Sequence, residues 1–456
     1  PEITPVQAEL ATTPADPAIP KTHHGAHWIE DWRPEDPVFW QEKGARIAKK
    51  NLIFSVLSEH IGFSVWSMWS VLVLFLGPEY GIDAAGKFLL TALPTLLGAV
   101  LRLPYTFAVA TFGGRNWTVI SALLLLIPTI GIVIVLQPGV AYSTLLFVAC
   151  LGGVGGGNFA SSMTNINAFY PARLKGWALG INAGGGNIGV PVVQLIGLLI
   201  LATIGASYPR VLPLIYIPLI IAAAVGSYLK MNNLTEMRNA KRAMRDVSKD
   251  AHTWVISLLY IGTFGSFIGF SFAFGQVLQV QFADIFSTPV KAAYLTFIGP
   301  LIGSLIRPYG GSLADKLGGA RVSFVNFVAM ALGAAIVLTA SLMHSLPLYL
   351  VGFIMLFAFS GLGNGSVYKM IPAIFKAKSG LEITREGVDP AVSMAKSQRY
   401  AGALIGIAGA IGAFGGVLVN LAFRQSFLAT KSADSAYIAF ICFYAICFAV
   451  TWYVYL

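Results

Sequence analysis

Charge is what this 456-residue chain has least of: Asp, Glu, Lys and Arg together make up 11% of it, against 56% apolar residues. A soluble domain carries about 25% charged residues, so there is too little polar surface here to cover a water-exposed globule. That excludes a conventional soluble enzyme and a disordered regulator. Cysteine is equally scarce. Cys150, Cys442 and Cys447 lie in apolar runs without metal-ligand spacing, which excludes a disulfide scaffold and reads as core packing. No nucleophile–base pair stands out. The glycine run from Gly153 to Asn158 sits inside an apolar stretch with no βαβ context, so it does not read as a nucleotide loop. No catalytic residue, metal site or cofactor is expected. The first 27 residues are polar, and no cleavable signal peptide is expected from them.

Long apolar runs are abundant, with a mean hydropathy of +0.73. A helix needs about 20 apolar residues to cross the hydrocarbon core. Runs of that kind fall near 52–77, 88–111, 117–136, 141–168, 176–204, 211–229, 252–275, 290–310, 322–343, 347–375, 400–423 and 435–456. The expected fold is therefore an all-α polytopic membrane protein with twelve spans. The breaks are short except for Lys230–Asp250 and Lys376–Lys396. We expect a cytoplasmic N-terminal segment (1–51), a six-helix bundle (52–229), a charged linker (230–251) and a second six-helix bundle (252–456). The formal charge of +10 would suit nucleic acid if it were clustered, but its distribution is topological. With the N-terminus cytoplasmic, 22 of the 30 Lys and Arg residues, Lys21 and Arg238 among them, fall on one side and five on the other. Positive residues collect on the cytoplasmic side, so both termini are expected there, and nucleic acid is not expected as a partner.

The remaining three basic residues, Arg102, Arg307 and Lys369, fall inside spans. The chain also repeats itself. Arg102 precedes Gly113-Gly114-Arg115 by the same interval at which Arg307 precedes Gly318-Gly319, and Gly157-Asn158 and Gly363-Asn364 each stand eleven residues (counted from the Asn) before a Phe. The two landmark pairs are offset by 205 and 206 residues, which indicates a duplicated six-span unit. Parallel repeats place a substrate site at their interface, near mid-membrane. Buried ionisable groups are costly and mark function by default. A guanidinium does not escape the cost by deprotonating. Two arginines at equivalent places describe a small-anion site, and their forked N–H groups suit a planar oxyanion.

Glu59 and His60 also lie within span one. A carboxyl in a poorly hydrated place binds and releases protons, as a coupling site must. Glu59, His60 and Lys369 are thus the candidate proton-coupling residues, against the plainer reading of snorkelling or a bond to a neighbouring helix. Span five carries Gly176, Gly180 and Gly184 at four-residue spacing, with Gly185, Gly186 and Gly189 alongside; Gly361, Gly363 and Gly365 lie in span ten. Small residues so spaced let helices approach and slide. Asn182 and Asn187 are both candidate anion contacts, but they sit about 140° apart on a helix, so a regular helix aims only one of them at a central substrate. Tyr260 and Phe264 share a face at i, i+4.

These residues resemble a known family. Gly311-Ser-Leu-Ala-Asp315-Lys-Leu-Gly-Gly-Ala-Arg321 resembles the signature loop of the major facilitator superfamily, in which Asp315 and Arg321 would be gating residues. More narrowly, the chain is similar to the nitrate/nitrite porters of NarK type. Gly176-Trp-Ala-Leu-Gly-Ile-Asn182-Ala-Gly-Gly-Gly-Asn187-Ile-Gly189 resembles that family's first signature. Gly361-Leu-Gly-Asn364-Gly-Ser-Val-Tyr368-Lys369-Met-Ile-Pro-Ala-Ile-Phe375 resembles the second. The pre-membrane Asp31–Trp40 segment is similar as well.

The resemblance implies a monomeric carrier of nitrate, with nitrite as an alternative substrate, in a bacterial inner membrane among its lipids. It implies that Arg102 and Arg307 clamp the anion, that Asn187 is the span-five contact, and that Phe63, Phe159, Tyr260 and Phe264 form an aromatic cage. Ser58-Glu59-His60-Ile-Gly-Phe63 resembles a branch associated with proton coupling, which favours nitrate–proton symport. Exchange of nitrate for nitrite stays open, because the two arginines leave excess positive charge in a low-dielectric site that resets empty, which favours a carrier loaded on both strokes. A nitrate sensor without transport is the remote alternative.

Overall fold

The computed structural model describes residues 25–237 and 241–456. Lys21 and Arg238, counted above toward the basic excess, lie outside the described residues, as does most of the segment on which the absence of a signal peptide was read. Among the described residues the chain is almost wholly helical. Eleven helices are long and apolar enough to cross a membrane: α2 (Ala84–Phe112), α3 (Gly114–Val135), α4 (Tyr142–Phe169), α5 (Ala172–Thr203), α6 (Val211–Lys230), α7 (Ala251–Gln281), α8 (Pro289–Leu317), α9 (Gly319–Leu342), α10 (Leu346–Glu386), α11 (Pro390–Thr430) and α12 (Asp434–Tyr455). They are preceded by α1 (Ala45–Trp66), which packs against α4, α5 and α6. Arg46, Lys49, Lys50 and Glu59 dilute its apolar content. Its regular helix stops at Ser67, whose hydroxyl donates to the Phe63 carbonyl at 2.7 Å, and two short turns carry the chain on to Phe75.

The second long break differs from the sequence expectation. Lys376–Lys396 is read as a polar connection, yet α10 runs to Glu386 and α11 begins at Pro390. Gly387 (φ 69°) turns the chain, and the Asp389 carboxylate caps the new helix by accepting from the N–H groups of Ala391 and Val392. Polar composition reports where a helix leaves lipid, not where it stops. The extension is held by side chains: Lys396 pairs with Glu382 at 3.0 Å, Ser393 donates to Glu382, and Lys378 pairs with Asp250.

The N-terminal segment and the linker meet at one end of the molecule. Trp28–Ile29 pairs in parallel with Asn233–Leu234. Trp32 donates its indole N–H to the Ala168 carbonyl at 3.2 Å and lays its ring edge against Phe169. Helices α1–α6 pack mainly on one another, as do α7–α12. The two sets meet where α2 lies along α11 and α5 along α8, so residues from both line the space between them.

Candidate functional site

Close helix contacts deliver the two arginines to the centre. On α4, a Cβ at Gly156 would stand 2.8 Å from the Gly98 backbone, and one at Gly157 would stand 2.7 Å from the Tyr105 ring. Glycine there lets α2 lean on α4, and Arg102 Nε donates to the Gly156 carbonyl at 3.2 Å. The contact recurs between α8 and α10: a Cβ at Gly365 would meet the Arg307 carbonyl oxygen at 2.3 Å, and one at Gly361 the Gly303 carbonyl at 2.2 Å. The duplicated sequence landmarks thus correspond to a duplicated packing device.

Arg102 is 1% exposed. Its Nη1 donates to the Gly409 carbonyl of α11 at 2.9 Å, while Nη2 has no acceptor. Its guanidinium lies 4.6 Å from the Phe159 ring centre, 5.2 Å from Phe264 and 5.5 Å from Trp66. Phe63 supports this wall edge-on to both Trp66 and Phe159. Arg307, 7% exposed, donates from Nη2 to the Tyr260 hydroxyl at 3.2 Å and leaves Nη1 without a partner. Its guanidinium sits 5.1 Å from the Tyr368 ring. Tyr260 stacks between Tyr368 at 4.5 Å and Phe264 at 5.1 Å. A Cβ at Gly409 would touch both the Tyr368 hydroxyl and Arg102, so the two arginine walls converge on one space.

Asn187 on α5 and Asn364 on α10 are buried with both amide atoms unpartnered. Leaving such donors unmatched costs about 1–3 kcal/mol each, more for a charged group. The two guanidinium N–H groups left over in one space are suited to oxygen atoms of a small anion. Sequence reasoning missed Tyr368, Trp66 and the Gly409 carbonyl, and used Asn364 only as a landmark. Its place beside Gly363 in the repeated Gly-Asn pair was the available signal.

Asn182 is placed elsewhere than expected. Its amide donates to Glu59 Oε2 at 2.6 Å and to Ser162 Oγ at 2.8 Å, and its Oδ1 accepts from Ser55 Oγ at 2.9 Å. Five residues on from it, Asn187 faces another direction, as helical spacing requires. Glu59 is 1% exposed; Ser162 also donates to Oε2, and Oε1 has no donor. Arg102 and Arg307 are both within electrostatic reach of this carboxyl. His60 lies beside it on α1 with Nδ1 3.0 Å from the Gly185 carbonyl. Lys369 is instead half-exposed and pairs with Asp315 at 3.0 Å, so it stands apart from Glu59 and couples the end of α8 to α10. Arg321 lines a separate cleft with Leu317 and Asn326.

The glycines divide as well. Gly185, Gly186 and Gly189 press against Val56, Glu59 and the His60 carbonyl of α1, and Gly363 against Asn326 and Thr263. Gly180 and Gly184 have nothing within 4 Å of a Cβ, contrary to the expectation of a tight seam, because they border open space. A cavity of about 420 Å³ leads from Arg102 past Met163, Asn167 and Gly402 to Glu236 of the linker. The opposite end is shut. Gln194 donates to the Ser271 carbonyl at 2.9 Å and Thr91 to Asn420 Oδ1 at 2.6 Å, joining the two helix sets. Trp66 meets Phe272, and Phe88 stacks on Phe423 and Phe427.

A buried pair of guanidiniums at the interface of two helix sets, open at one end and sealed at the other, is the arrangement of a membrane transporter. Residues 57–419 match the family described as the Major Facilitator Superfamily. The nitrate/nitrite transporter NarU of Salmonella typhimurium is 38% identical over 95% of this chain and 97% of its own length. The probable nitrate/nitrite antiporter NarK2 of Thermus thermophilus is 33% identical over 94% and 96%. Among solved structures, a D-xylose–proton symporter superposes with a TM-score of 0.63 at 16% identity, covering 89% of this chain and 97% of that one, a likeness of fold alone. The chain belongs to the major facilitator superfamily and, within it, to the nitrate/nitrite porter family of NarK type.

Proposed function

We propose that this protein carries nitrate across a bacterial inner membrane together with a proton, by alternating access of α1–α6 and α7–α12 around an anion clamped between Arg102 and Arg307. In this reading α1 is the first of twelve spans, both termini are cytoplasmic and the cavity opens to the cytoplasm. The observation that carries it is the pair of buried guanidiniums, each with an N–H group free of acceptors, facing one space. Nitrate is planar and presents three oxygens to such forks. Asn187 supplies a further polar contact, and Phe63, Phe159, Tyr260 and Phe264 exclude water.

Charge balance supports the proton. With Glu59 ionised and no anion bound, two arginines and one carboxylate leave a single positive charge. With nitrate bound and Glu59 protonated, the site again carries a single positive charge. Moving between the two faces then carries the same charge through the low-dielectric centre in both directions. The second reading, nitrate/nitrite exchange, is supported by the name of the Thermus relative and keeps the site loaded on both strokes.

Purified protein in liposomes separates the readings. Inward nitrate driven by an imposed pH gradient, with no internal nitrite, supports symport; uptake that requires internal nitrite and ignores the gradient supports exchange. Glu59→Gln is expected to lose gradient-driven accumulation, and full retention would remove Glu59 from coupling. Competition of labelled nitrate uptake by nitrite, chlorate and formate defines the substrate class.

A further inference from the structure

We propose that Ser162 and Asn182 are positioning residues of the Glu59 proton site: they hold Oε2 of the carboxyl and leave Oε1 to take the proton. The inference rests on Glu59 being the coupling carboxyl and assigns to these two residues a role that the anion clamp does not use. Three helices build the arrangement. Ser162 comes from α4 and Asn182 from α5, and both donate to the same oxygen of Glu59 on α1. Ser55, one turn earlier on α1, donates to Asn182 Oδ1. That bond fixes the amide with its NH₂ toward Glu59 and Ser162. An Asn182 so occupied has no N–H to offer an anion at the arginines.

Oε1 is the free acceptor. No group among the described residues donates to it, and it lies over Gly186, where a Cβ would stand 2.3 Å away. A proton arriving on Oε1 therefore breaks none of the bonds to Oε2, and the carboxyl keeps its place in both forms. Charged groups reach it from α2 and α8, through Arg102 and Arg307; His60, next to it on α1, is engaged with the Gly185 carbonyl. The network also touches the anion wall. Ser162 follows Phe159 by one turn of α4, its hydroxyl 3.1 Å from that residue's carbonyl oxygen, and the Phe159 ring lies against the Arg102 guanidinium. Proton and anion sites are thus joined through one turn of α4.

Donors to a carboxylate oxygen favour the ionised form. Removing one makes the carboxyl hold its proton more tightly, so proton release requires higher pH. The test is the pH dependence of initial nitrate uptake in proteoliposomes for wild type, Ser162→Ala, Asn182→Ala and Ser162→Thr. The half-point is expected to move up by about one pH unit for each Ala variant, and Ser162→Thr, which keeps the hydroxyl, is expected to restore it. Profiles left in place would overturn the proposal. So would an Asn182→Ala protein that loses nitrate affinity with its pH profile unmoved, since Asn182 would then be an anion ligand. Glu59→Gln distinguishes the two levels. If it keeps the wild-type profile, the coupling role of Glu59 fails. If it flattens the profile while the Ser162 and Asn182 variants leave theirs unmoved, only their positioning role fails.

Discussion

Arg102 and Arg307 are not equivalent in their surroundings, although they are equivalent in the repeat. Among the described residues, Arg102 is already bound to two carbonyls, Gly156 and Gly409, whereas Arg307 is bound to a tyrosine hydroxyl. The Gly409 bond crosses between the helix sets, so Arg102 also links α2 to α11. Lysine in either place retains the charge but loses the fork. We expect Arg102→Lys and Arg307→Lys each to weaken nitrate binding by about 10- to 100-fold, the loss of a charge-assisted hydrogen bond of about 1.5–3 kcal/mol. Equilibrium binding of nitrate to purified protein measures this, and wild-type affinity in both variants would contradict the clamp. At this scale the arginines were legible because a charge inside an apolar run has few explanations. Ser162 was not, since a serine in a helix carries no signal until its neighbour is known. Asn182 and Asn187 were legible as a pair pointing two ways, but which of them faced a carboxylate depended on α1, a partner that periodicity does not name.

Glycine has two uses in these helices, and the structure separates them. Gly186, Gly361 and Gly365 are packed so that a Cβ would meet Glu59 or backbone carbonyls at 2.2–2.3 Å. Overpacking of this kind costs about 1–3 kcal/mol. Gly180 and Gly184 border open space, where nothing in this conformation obstructs a side chain. Gly365→Ala is therefore expected to lower the unfolding temperature. Gly184→Leu is expected to leave it unchanged while slowing turnover at least several-fold. Thermal unfolding and uptake rate on the same preparations check the pair, and equal behaviour of the two variants would contradict the division. The four-residue spacing was readable in the sequence, but spacing alone does not say whether the partner is present in this conformation.

The helical extension joining α10 to α11 was hidden for a different reason, since its charges signal only water. Its tie to the linker gives a pH prediction. Partial burial opposes ionisation of Asp250, but the bonds from Lys378 and the His252 N–H outweigh it and hold the carboxyl below the usual range. A lowered carboxyl stabilises the fold at neutral pH, and that contribution disappears as pH falls through its value. Asp250→Asn keeps the helix cap and removes the charge. The gap in unfolding temperature between it and wild type should shrink on acidification from pH 7 to pH 3; a gap independent of pH would show that the pair contributes nothing.

At the scale of the whole molecule, the features combine into one carrier. Two helix sets enclose a pair of guanidiniums, polar and aromatic contacts seal one end, and the other end leads out beside the linker. The helical membrane fold, the duplication and the intramembrane charges followed from composition and spacing. The open end did not, because helix periodicity does not say which end of the space between the two helix sets is closed. The account turns on the charge carried with each anion. The most direct measurement is the ion balance of nitrate flux, with nitrate, protons and membrane potential followed together in liposomes free of internal nitrite. The account predicts at least one proton entering with each nitrate and net accumulation driven by the pH gradient alone. Nitrate movement without proton movement, or only in exchange for nitrite, would contradict it.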